Sequence, residues 1–142
     1  MRVIIKEAGV EYMKKDAPSI KTPADVAKEL VEFNDSETEQ FIIMVLDARN
    51  KLKIAEVVTS GLSDASLVHP REVFKTAVRA SGNAVILAHN HPSGNTSPSP
   101  EDIRITKQMV EAGKILDIKV LDHVIIAKGK YLSMREEGLV KF

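Results

Sequence analysis

The stretch AVILAHNHPSGNTSPSPED, residues 84–102, combines an apolar run, a stiff polar turn and the start of a helix. The run AVILA is short and rich enough in branched residues to predict a strand that is covered on both faces. Pro92 cannot donate to a β-ladder, so the strand is expected to end there, and Gly94 permits the chain to reverse. Pro100, directly after Ser99, fits the first position of a helix. The sequence therefore predicts a strand whose end faces the first turn of a helix.

His89 and His91 stand two residues apart at the end of this strand. Side chains two apart on a strand point to the same face, with Cα atoms roughly 6.5 to 7 Å apart. Two imidazoles placed in this way are able to bind one metal ion, and zinc accepts histidine nitrogen at about 2.0 to 2.1 Å. The pair alone is a weak signal, because two histidines at a strand end are more often surface or binding residues than metal ligands.

Ser99 and Asp102 have two interpretations. Their SxxD spacing is that of a capping box, and this structural role explains both residues without a metal. A helix that begins directly after the turn also brings its first-turn carboxylate beside the strand end, where its oxygen is able to complete a third ligand position. Three protein ligands leave one position for water, as catalytic zinc requires, whereas a structural zinc is closed by four. Ser99 is able to serve both roles.

The rest of the sequence predicts helices and strands around this segment. Thr22, Pro23 and Asp25 predict a helix start, and this helix is expected to run from about Pro23 to Phe33. The later predicted elements are a hairpin from QFIIMVLD and KLKIAEVVTSG, a helix in HPREVFKTAVRASG, a strand in NAVILAH, a helix in SPEDIRITKQMVEAGKIL, a strand pair in DIKVLDHVIIAKGKYLSM and a last helical turn in REEGLVKF. The expected inward positions are Val26, Leu30 and Phe33 in the first helix, Val73, Ala77 and Val78 in the second, and Ile103, Met109, Val110 and Leu116 in the third.

The order of these elements predicts the fold class. It reads α, β, β, α, β, α, β, β, which suits an α/β fold with a mixed sheet flanked by helices. A length of 142 residues predicts one domain, residues 1–142, of which 1–21 form an uncertain N-terminal segment. In that segment RVII reads as a short strand and VEYMKKDAPSIK as a polar connection.

The composition is that of an ordinary soluble domain. The chain is 44% hydrophobic and 28% charged, with 20 basic and 20 acidic side chains. Zero net charge argues against a dedicated nucleic-acid-binding domain. The chain has no cysteine, which excludes disulfides, thiolate ligands and a cysteine nucleophile. No apolar run approaches the length of a membrane span, and we expect a cytoplasmic protein.

HNHPSGNTSPSPED resembles the JAMM motif, HxHx7SxxD, of the JAMM/MPN metalloprotease superfamily, and all four motif residues match with the expected gaps. The resemblance implies a JAMM/MPN fold, with its cytidine-deaminase-like architecture, and a zinc-dependent peptidase or isopeptidase. It implies that His89, His91 and Asp102 are the ligands of a Zn²⁺ cofactor. Ser99 then corresponds to a hydroxyl that stabilises the oxyanion of the reaction.

The family also uses an upstream glutamate as its general base, near the start of a strand beside the HxH strand. In DSETEQFIIMVLD the best match is Glu39, two residues before Phe41, and Glu37 is the second choice. By position alone, Glu39 is equally well explained as a solvated acid that precedes a strand. The resemblance implies that Glu39 takes a proton from the attacking water and returns it to the leaving amine.

The resemblance to one branch of this superfamily, the RadC family, is more extensive. VHPREVF, LDHVII and the closing REEGL look like RadC segments, and with FIIMVLDARNKL the similarity covers about residues 37–140. RadC proteins usually carry an N-terminal helical region, whereas only about twenty residues precede the first predicted helix here. This difference leaves any DNA-linked activity of full-length relatives without support in this sequence. The alternatives to a zinc hydrolase are a non-catalytic binding protein and a DNA-repair-associated RadC-like protein.

Other residues carry weaker expectations. His69 in VHPREVF is as well explained by a turn or helix cap as by a function, and His123 in LDHVII is expected to be a satisfied core histidine rather than a partner of a metal ligand. Asn90 points away from its two histidine neighbours if the strand persists that far. The expected partner is a peptide or protein substrate. QFIIMVLD and RVII are expected to offer an edge strand, for a homo-oligomer or for an extended peptide.

Overall fold

Seven strands form one mixed sheet in a computed structural model, which describes residues 3–6, 9–12, 17–61 and 68–142, the first two ranges as backbone only. The strands are β1 (Val3–Lys6), β2 (Gly9–Tyr12), β3 (Gln40–Leu46), β4 (Leu52–Ser60), β5 (Ala84–Asn90), β6 (Lys119–Ala127) and β7 (Lys130–Ser133). The helices are α1 (Pro23–Glu29), α2 (Pro70–Arg79) and α3 (Pro100–Leu116), and a short 3-10 turn, Val31–Phe33, follows α1.

The strand order in the sheet is β1-β2-β4-β3-β5-β6-β7. β5 and β6 are parallel, with α3 as the crossover between them, and the other neighbouring strands are antiparallel. The predicted α/β class with a mixed sheet is confirmed. β3 lies between β4 and β5, so the expectation that QFIIMVLD forms an edge strand was wrong. The outer strands among the described residues are β1 and β7.

The helices cover both faces of the sheet. The side chains of β3 alternate between two apolar clusters, as the twofold period of a strand requires. One cluster joins Phe41, Ile43 and Val45 to residues of α2 and α3. The other joins Ile42, Met44 and Leu46 to residues of α1. Every residue of β5 is buried, which confirms the prediction that this strand is covered on both faces.

Two helices begin with a complete capping box. In α1 the Thr22 hydroxyl accepts a hydrogen bond from Asp25 N, and in α3 the Ser99 hydroxyl accepts one from Asp102 N. In each box the carboxylate of the aspartate accepts a hydrogen bond from the backbone N–H of the capping residue. Such a cap contributes about 1 kcal/mol to helix stability. The first helix ends earlier than predicted, because Leu30 leaves helical geometry and residues 31–33 wind more tightly. Phe33 therefore belongs to a 3-10 turn.

Two predicted inward positions face solvent. Val78 is 60% exposed and Leu116 is 47% exposed. The buried stripe of α3 instead includes polar and small residues, which a count of apolar residues alone does not assign to the interior. Its members are Asp102, Ile105, Thr106, Met109, Val110 and Gly113.

The ends of the chain also differ from the prediction. Residues 134–140 of the segment around REEGLVKF form turns rather than a helical turn. Gly9–Tyr12 is strand β2, so the expected polar connection was wrong there, while its continuation at residues 13–16 lies outside the described residues. RVII contributes to β1 as predicted. Within the described part of the chain, the helices are too short or too polar to cross a bilayer.

Candidate metal centre

The β3–β5 pairing brings Glu39 to the histidine pair. Phe41 pairs with His89 in the antiparallel register. Because alternate residues of a strand share a face, Glu39, two residues before Phe41, is carried to the same face and end of the sheet as His91. Glu39 Oε1 lies 4.0 Å from His89 Nε2. One ligand-type atom from each of Glu39, His89 and His91 lies within 4.8 Å of the other two.

His91 continues the strand by one residue. Its backbone N–H donates to the carbonyl of Ile126 on β6 at 2.9 Å, which keeps the backbone extended beyond Asn90. The imidazoles of His89 and His91 therefore project to the same side, with their Nε2 atoms 2.8 Å apart. His89 is buried, whereas His91 is half-buried. The cluster is therefore more open to solvent at His91 than at His89.

Asp102 enters the same cluster from the first turn of α3. Its Oδ2 atom lies 3.4 Å from His89 Nε2 and 3.5 Å from His91 Nε2. The same oxygen accepts the N–H of Ser99 at 2.9 Å, and Asp102 N donates to the Ser99 hydroxyl at 3.0 Å. Asp102 therefore caps the helix and faces both imidazoles, and the two interpretations of the SxxD segment coexist in one geometry.

The donor set fits a divalent cation of the zinc type. His91 Nδ1 lies 2.7 Å from the carbonyl oxygen of Asn95, which can only accept, so Nδ1 carries the proton. In the neutral ring His91 Nε2 then presents a lone pair toward His89 Nε2, 2.8 Å away, so a proton or a cation must lie between these two nitrogens. Ligand atoms at about 2.0 to 2.1 Å from a tetrahedral zinc lie about 3.3 Å apart. The distances from Asp102 Oδ2 to the two nitrogens are close to that value.

Charge interactions in the cluster favour a negative Asp102 and a positive partner. Burial alone would raise the pKa of Asp102, but the adjacent imidazoles of His89 and His91 outweigh it and hold this pKa well below its usual range. The hydrogen bond to Asp102 raises the pKa of His91, against a smaller opposing effect of burial. Asp102 thus remains a carboxylate at neutral pH, as a metal ligand must be.

Asn90 holds the backbone that carries Glu39. Its side chain points away from the two imidazoles, accepts the N–H of Gln40 at 2.7 Å and donates to the carbonyl of Thr38 at 2.9 Å. Gly61 N donates to the carbonyl of Glu39 at 2.8 Å. The Glu39 backbone is therefore fixed on three sides, while its carboxylate remains 30% exposed. Glu37, the second choice for the base, is exposed.

His123 and Thr106 lie behind His89. His123 is 0% exposed, and its Nε2 atom lies 2.7 Å from His89 Nδ1. Its Nδ1 atom contacts the hydroxyl of Thr106, one turn beyond Asp102 on α3. Burial lowers the pKa of His123 well below its ordinary value. His123 is the expected core histidine, and it also contacts His89, the predicted ligand, which that expectation did not include.

Thr106 was missed by the sequence interpretation, and its signal was its spacing. A residue four positions after Asp102 lies on the same face of a helix, so it is carried to the same side of the cluster. His69 is the N-cap residue of α2, but its exposed side chain makes no capping hydrogen bond. Among the described residues, no side-chain hydrogen bond or ion pair joins His69 to His89, His91 or Asp102.

The mixed sheet, its flanking helices and the His-carboxylate cluster at the end of β5 define a protein of the JAB/MPN-like class. Residues 20–139 match the family model described as a RadC-like JAB domain. The chain belongs to the RadC family. This confirms the family resemblance identified in the sequence.

Relatives support the same assignment. A UPF0758 protein of Methanosarcina mazei is 45% identical over 131 residues, which are 92% of this chain and 57% of the relative. One from Symbiobacterium thermophilum is 55% identical over 102 residues, or 72% of this chain and 44% of the relative. One from Caldanaerobacter subterraneus is 46% identical over 125 residues, which are 87% of this chain and 54% of the relative. The chain spans about half the length of the curated relatives it matches.

Proposed function

We propose that this RadC-family domain is a zinc-dependent hydrolase of peptide or isopeptide bonds. The observation that carries the proposal is the convergence of His89 Nε2, His91 Nε2 and Asp102 Oδ2, with mutual distances of 2.8, 3.4 and 3.5 Å. These three atoms would hold the ion. When bound, zinc lowers the pKa of a coordinated water toward about 7 and polarises the scissile carbonyl.

Glu39 is the proposed general base. Its Oε1 atom is 4.0 Å from His89 Nε2, so the carboxylate lies beside the three converging atoms. It takes a proton from the attacking water as the new C–O bond forms, and it delivers that proton to the amide nitrogen as the C–N bond breaks. The products are a carboxylate and an amine. The partial exposure of Glu39 leaves room for a substrate beside it.

Ser99 is the proposed donor to the oxyanion. Its hydroxyl oxygen accepts the N–H of Asp102, so the hydroxyl proton remains available to donate outward. A donor aimed at the oxygen on which charge develops typically contributes 10² to 10³ in kcat. The peptide or protein substrate and a cytoplasmic location remain predictions from the sequence.

The first test is the metal content of protein purified without added zinc. We expect a stoichiometry near one, and we expect it to be lost in His89→Ala and in Asp102→Ala. A zinc-free wild-type protein that cannot be loaded with zinc would reject the proposal. Zinc that binds equally well to both variants would reject the ligand assignment.

The second test separates base from ligand with Glu39→Gln. The proposal predicts that this variant keeps zinc and loses about 10²- to 10⁴-fold in hydrolysis of a panel of fluorogenic peptides and isopeptide-linked dipeptides. Glu37→Gln is the matched control and is expected to keep full activity. Loss of zinc from Glu39→Gln would instead make Glu39 a ligand, as its position in the triad with His89 and His91 allows. Full activity of Glu39→Gln would reject its role as base. Zinc binding without hydrolysis of any panel member would favour the non-catalytic binding protein.

A further inference from the structure

We propose that Thr106 and His123 form a hydrogen-bond relay that selects the tautomer of His89, so that its Nε2 atom presents a lone pair toward His91 and Asp102. The relay starts at the backbone carbonyl of Asp102 and ends at His89. It rests on the metal site of the proposed function, and it requires nothing of the hydrolytic reaction. In this relay Thr106 and His123 are positioning residues.

The direction of the relay is set at Thr106. Its hydroxyl lies 2.7 Å from the carbonyl oxygen of Asp102, which can only accept, so the hydroxyl proton points there. The oxygen of the same hydroxyl is then left to accept from the ring of His123. His123 Nδ1 therefore carries a proton.

The second step passes through the buried imidazole of His123. A neutral imidazole has one N–H, and this ring, completely buried and without a carboxylate partner in its two hydrogen bonds, has no group that would stabilise a second. His123 Nε2 is therefore an acceptor. It lies 2.7 Å from His89 Nδ1, which must donate to it. His89 Nε2 is left unprotonated.

The relay gives His89 the same tautomer as His91, with the proton on Nδ1 and Nε2 facing the site. For His91 the carbonyl of Asn95 accepts the hydrogen bond from Nδ1–H, so that Nε2 faces His89 and Asp102. For His89 two side chains from α3 and β6 do the same. Asp102 therefore acts on His89 in two ways. Its backbone carbonyl, through Thr106 and His123, fixes the proton on His89 Nδ1, and its carboxylate faces His89 Nε2. Partners of this kind typically change metal affinity 10- to 100-fold.

The opposite direction makes a distinguishable structure. If Thr106 donated to His123 Nδ1, His123 Nε2 would donate to His89, and His89 Nε2 would carry a proton aimed at Asp102. That proton would have to leave before a metal could bind. The two directions differ in which nitrogen of each ring is protonated.

The test combines ring nitrogen NMR with zinc affinity. Long-range ¹H–¹⁵N spectra of zinc-free protein labelled on histidine report the protonated nitrogen of His89 and of His123, and competition with a chromophoric chelator reports the zinc dissociation constant. We expect Nδ1–H on both rings in the wild type. We expect Thr106→Val to lose this pattern and to weaken zinc binding about tenfold or more. Thr106→Ser, the matched control, keeps the hydroxyl and is expected to keep both.

A second variant covers failure of Thr106→Val to fold. His123→Gln offers an amide N–H to Thr106 and an amide oxygen to His89, so it is expected to retain zinc affinity, whereas His123→Phe offers neither and is expected to weaken it. A proton on Nε2 of His123 in the wild type, or equal zinc affinity of Thr106→Val and Thr106→Ser, would overturn the relay. Neither readout uses hydrolysis. A protein with the expected tautomers and affinities but no activity would therefore reject the hydrolase and leave the relay standing.

Discussion

The side chain of Asn90 binds the backbone on both sides of Glu39. It accepts from Gln40 N at 2.7 Å and donates to the Thr38 carbonyl at 2.9 Å. Asn90 lies between His89 and His91 in the sequence and points to the opposite face. One strand end therefore directs two imidazoles to the candidate metal site and one amide to the segment that carries the proposed base. Asn90 thus supplies two of the three hydrogen bonds that fix the backbone around Glu39, and Gly61 N supplies the third.

Asn90→Leu is expected to separate zinc binding from catalysis. The substitution keeps a side chain that branches at Cγ but removes both hydrogen bonds, so the segment around Glu39 is released while the imidazoles keep their strand. A displacement of about 1 Å in a catalytic group costs roughly 10²-fold in rate. We therefore expect zinc stoichiometry to be unchanged and kcat to fall by about that factor. Metal analysis and steady-state kinetics on the same preparation measure both quantities.

Asn83→Leu is the control for this substitution, because Asn83 is exposed and immediately precedes β5 at its other end. It is expected to leave both zinc content and kcat unchanged. Equal kcat in Asn90→Leu and Asn83→Leu would show that Asn90 does not position the base.

Local features of this fold could be predicted from the sequence. The strand end at Pro92, the capping box of Ser99 and Asp102, and the common side of His89 and His91 each depend on residues within a few positions of one another. Such features follow from strand periodicity and from helix capping. They are the parts of the site that the sequence motif contains.

The contacts behind the predicted ligands depend on the sheet register, which the sequence did not specify. His123 meets His89 because Leu87 pairs with His123 in a parallel ladder, and this ladder forms only once α3 has crossed the sheet. Asn90 reaches Thr38 across a separation of 52 residues. Leu116 lies three positions after the buried Gly113, but it is the last residue of α3, where the helix end is open to solvent.

Ser99→Gly is expected to separate capping from chemistry. Glycine is an acceptable N-cap residue, so the loss in the free energy of unfolding should be only a few tenths of a kcal/mol. The hydroxyl proposed to donate to the oxyanion is absent, so kcat should fall about 10²- to 10³-fold. Urea unfolding and kinetics measure the two effects. Thr22→Gly changes the equivalent cap of α1 and is expected to show the same small loss of stability with kcat unchanged. If the kcat of Ser99→Gly equalled that of Thr22→Gly, Ser99 would only cap the helix and would have no role as a donor to the oxyanion.

Asp47 should make the stability of the fold depend on pH in the acid range. Its Oδ1 atom accepts from Arg49 N at 2.8 Å and from Lys51 N at 3.0 Å, in the turn between β3 and β4. The backbone hydrogen bond from Lys51, opposed in part by burial, holds the pKa of Asp47 below the ordinary value for an aspartate. A folded-state pKa below the unfolded value adds stability above the unfolded pKa, and this stability is lost as pH falls through the folded pKa.

Asp47→Asn is therefore expected to lower the free energy of unfolding at pH 7, and the difference from wild type should shrink as the pH falls below about 4. Urea unfolding of zinc-free protein at several pH values measures this difference. If the difference in the free energy of unfolding stayed constant from pH 7 to pH 3, the pKa of Asp47 would not be lowered in the folded protein.

Gly113 is expected to fix the distance between α3 and the start of β6. A Cβ atom built at this position would lie 2.3 Å from the carbonyl oxygen of Ile118 and 3.2 Å from Val120 Cγ2. The first contact is with backbone, which cannot rotate away. Gly113→Ala would gain about 1 kcal/mol in helix propensity, but it would force the helix and strand apart, and overpacking of this kind costs about 1 to 3 kcal/mol. We expect a net loss in the free energy of unfolding, measured in urea.

The neighbouring position Lys114 supplies the control for Gly113→Ala. Lys114 is exposed, and its ammonium pairs with Glu111 at 3.1 Å on the helix surface. An exposed pair of this type contributes about 0.3 to 0.5 kcal/mol, so Lys114→Ala should change stability by no more than that. Because Thr106 on the same helix contacts His123 on β6, Gly113→Ala should also weaken zinc binding, whereas Lys114→Ala should not. If Gly113→Ala were as stable as Lys114→Ala and bound zinc equally well, the close approach of α3 to β6 would not be needed to maintain the contact between Thr106 and His123.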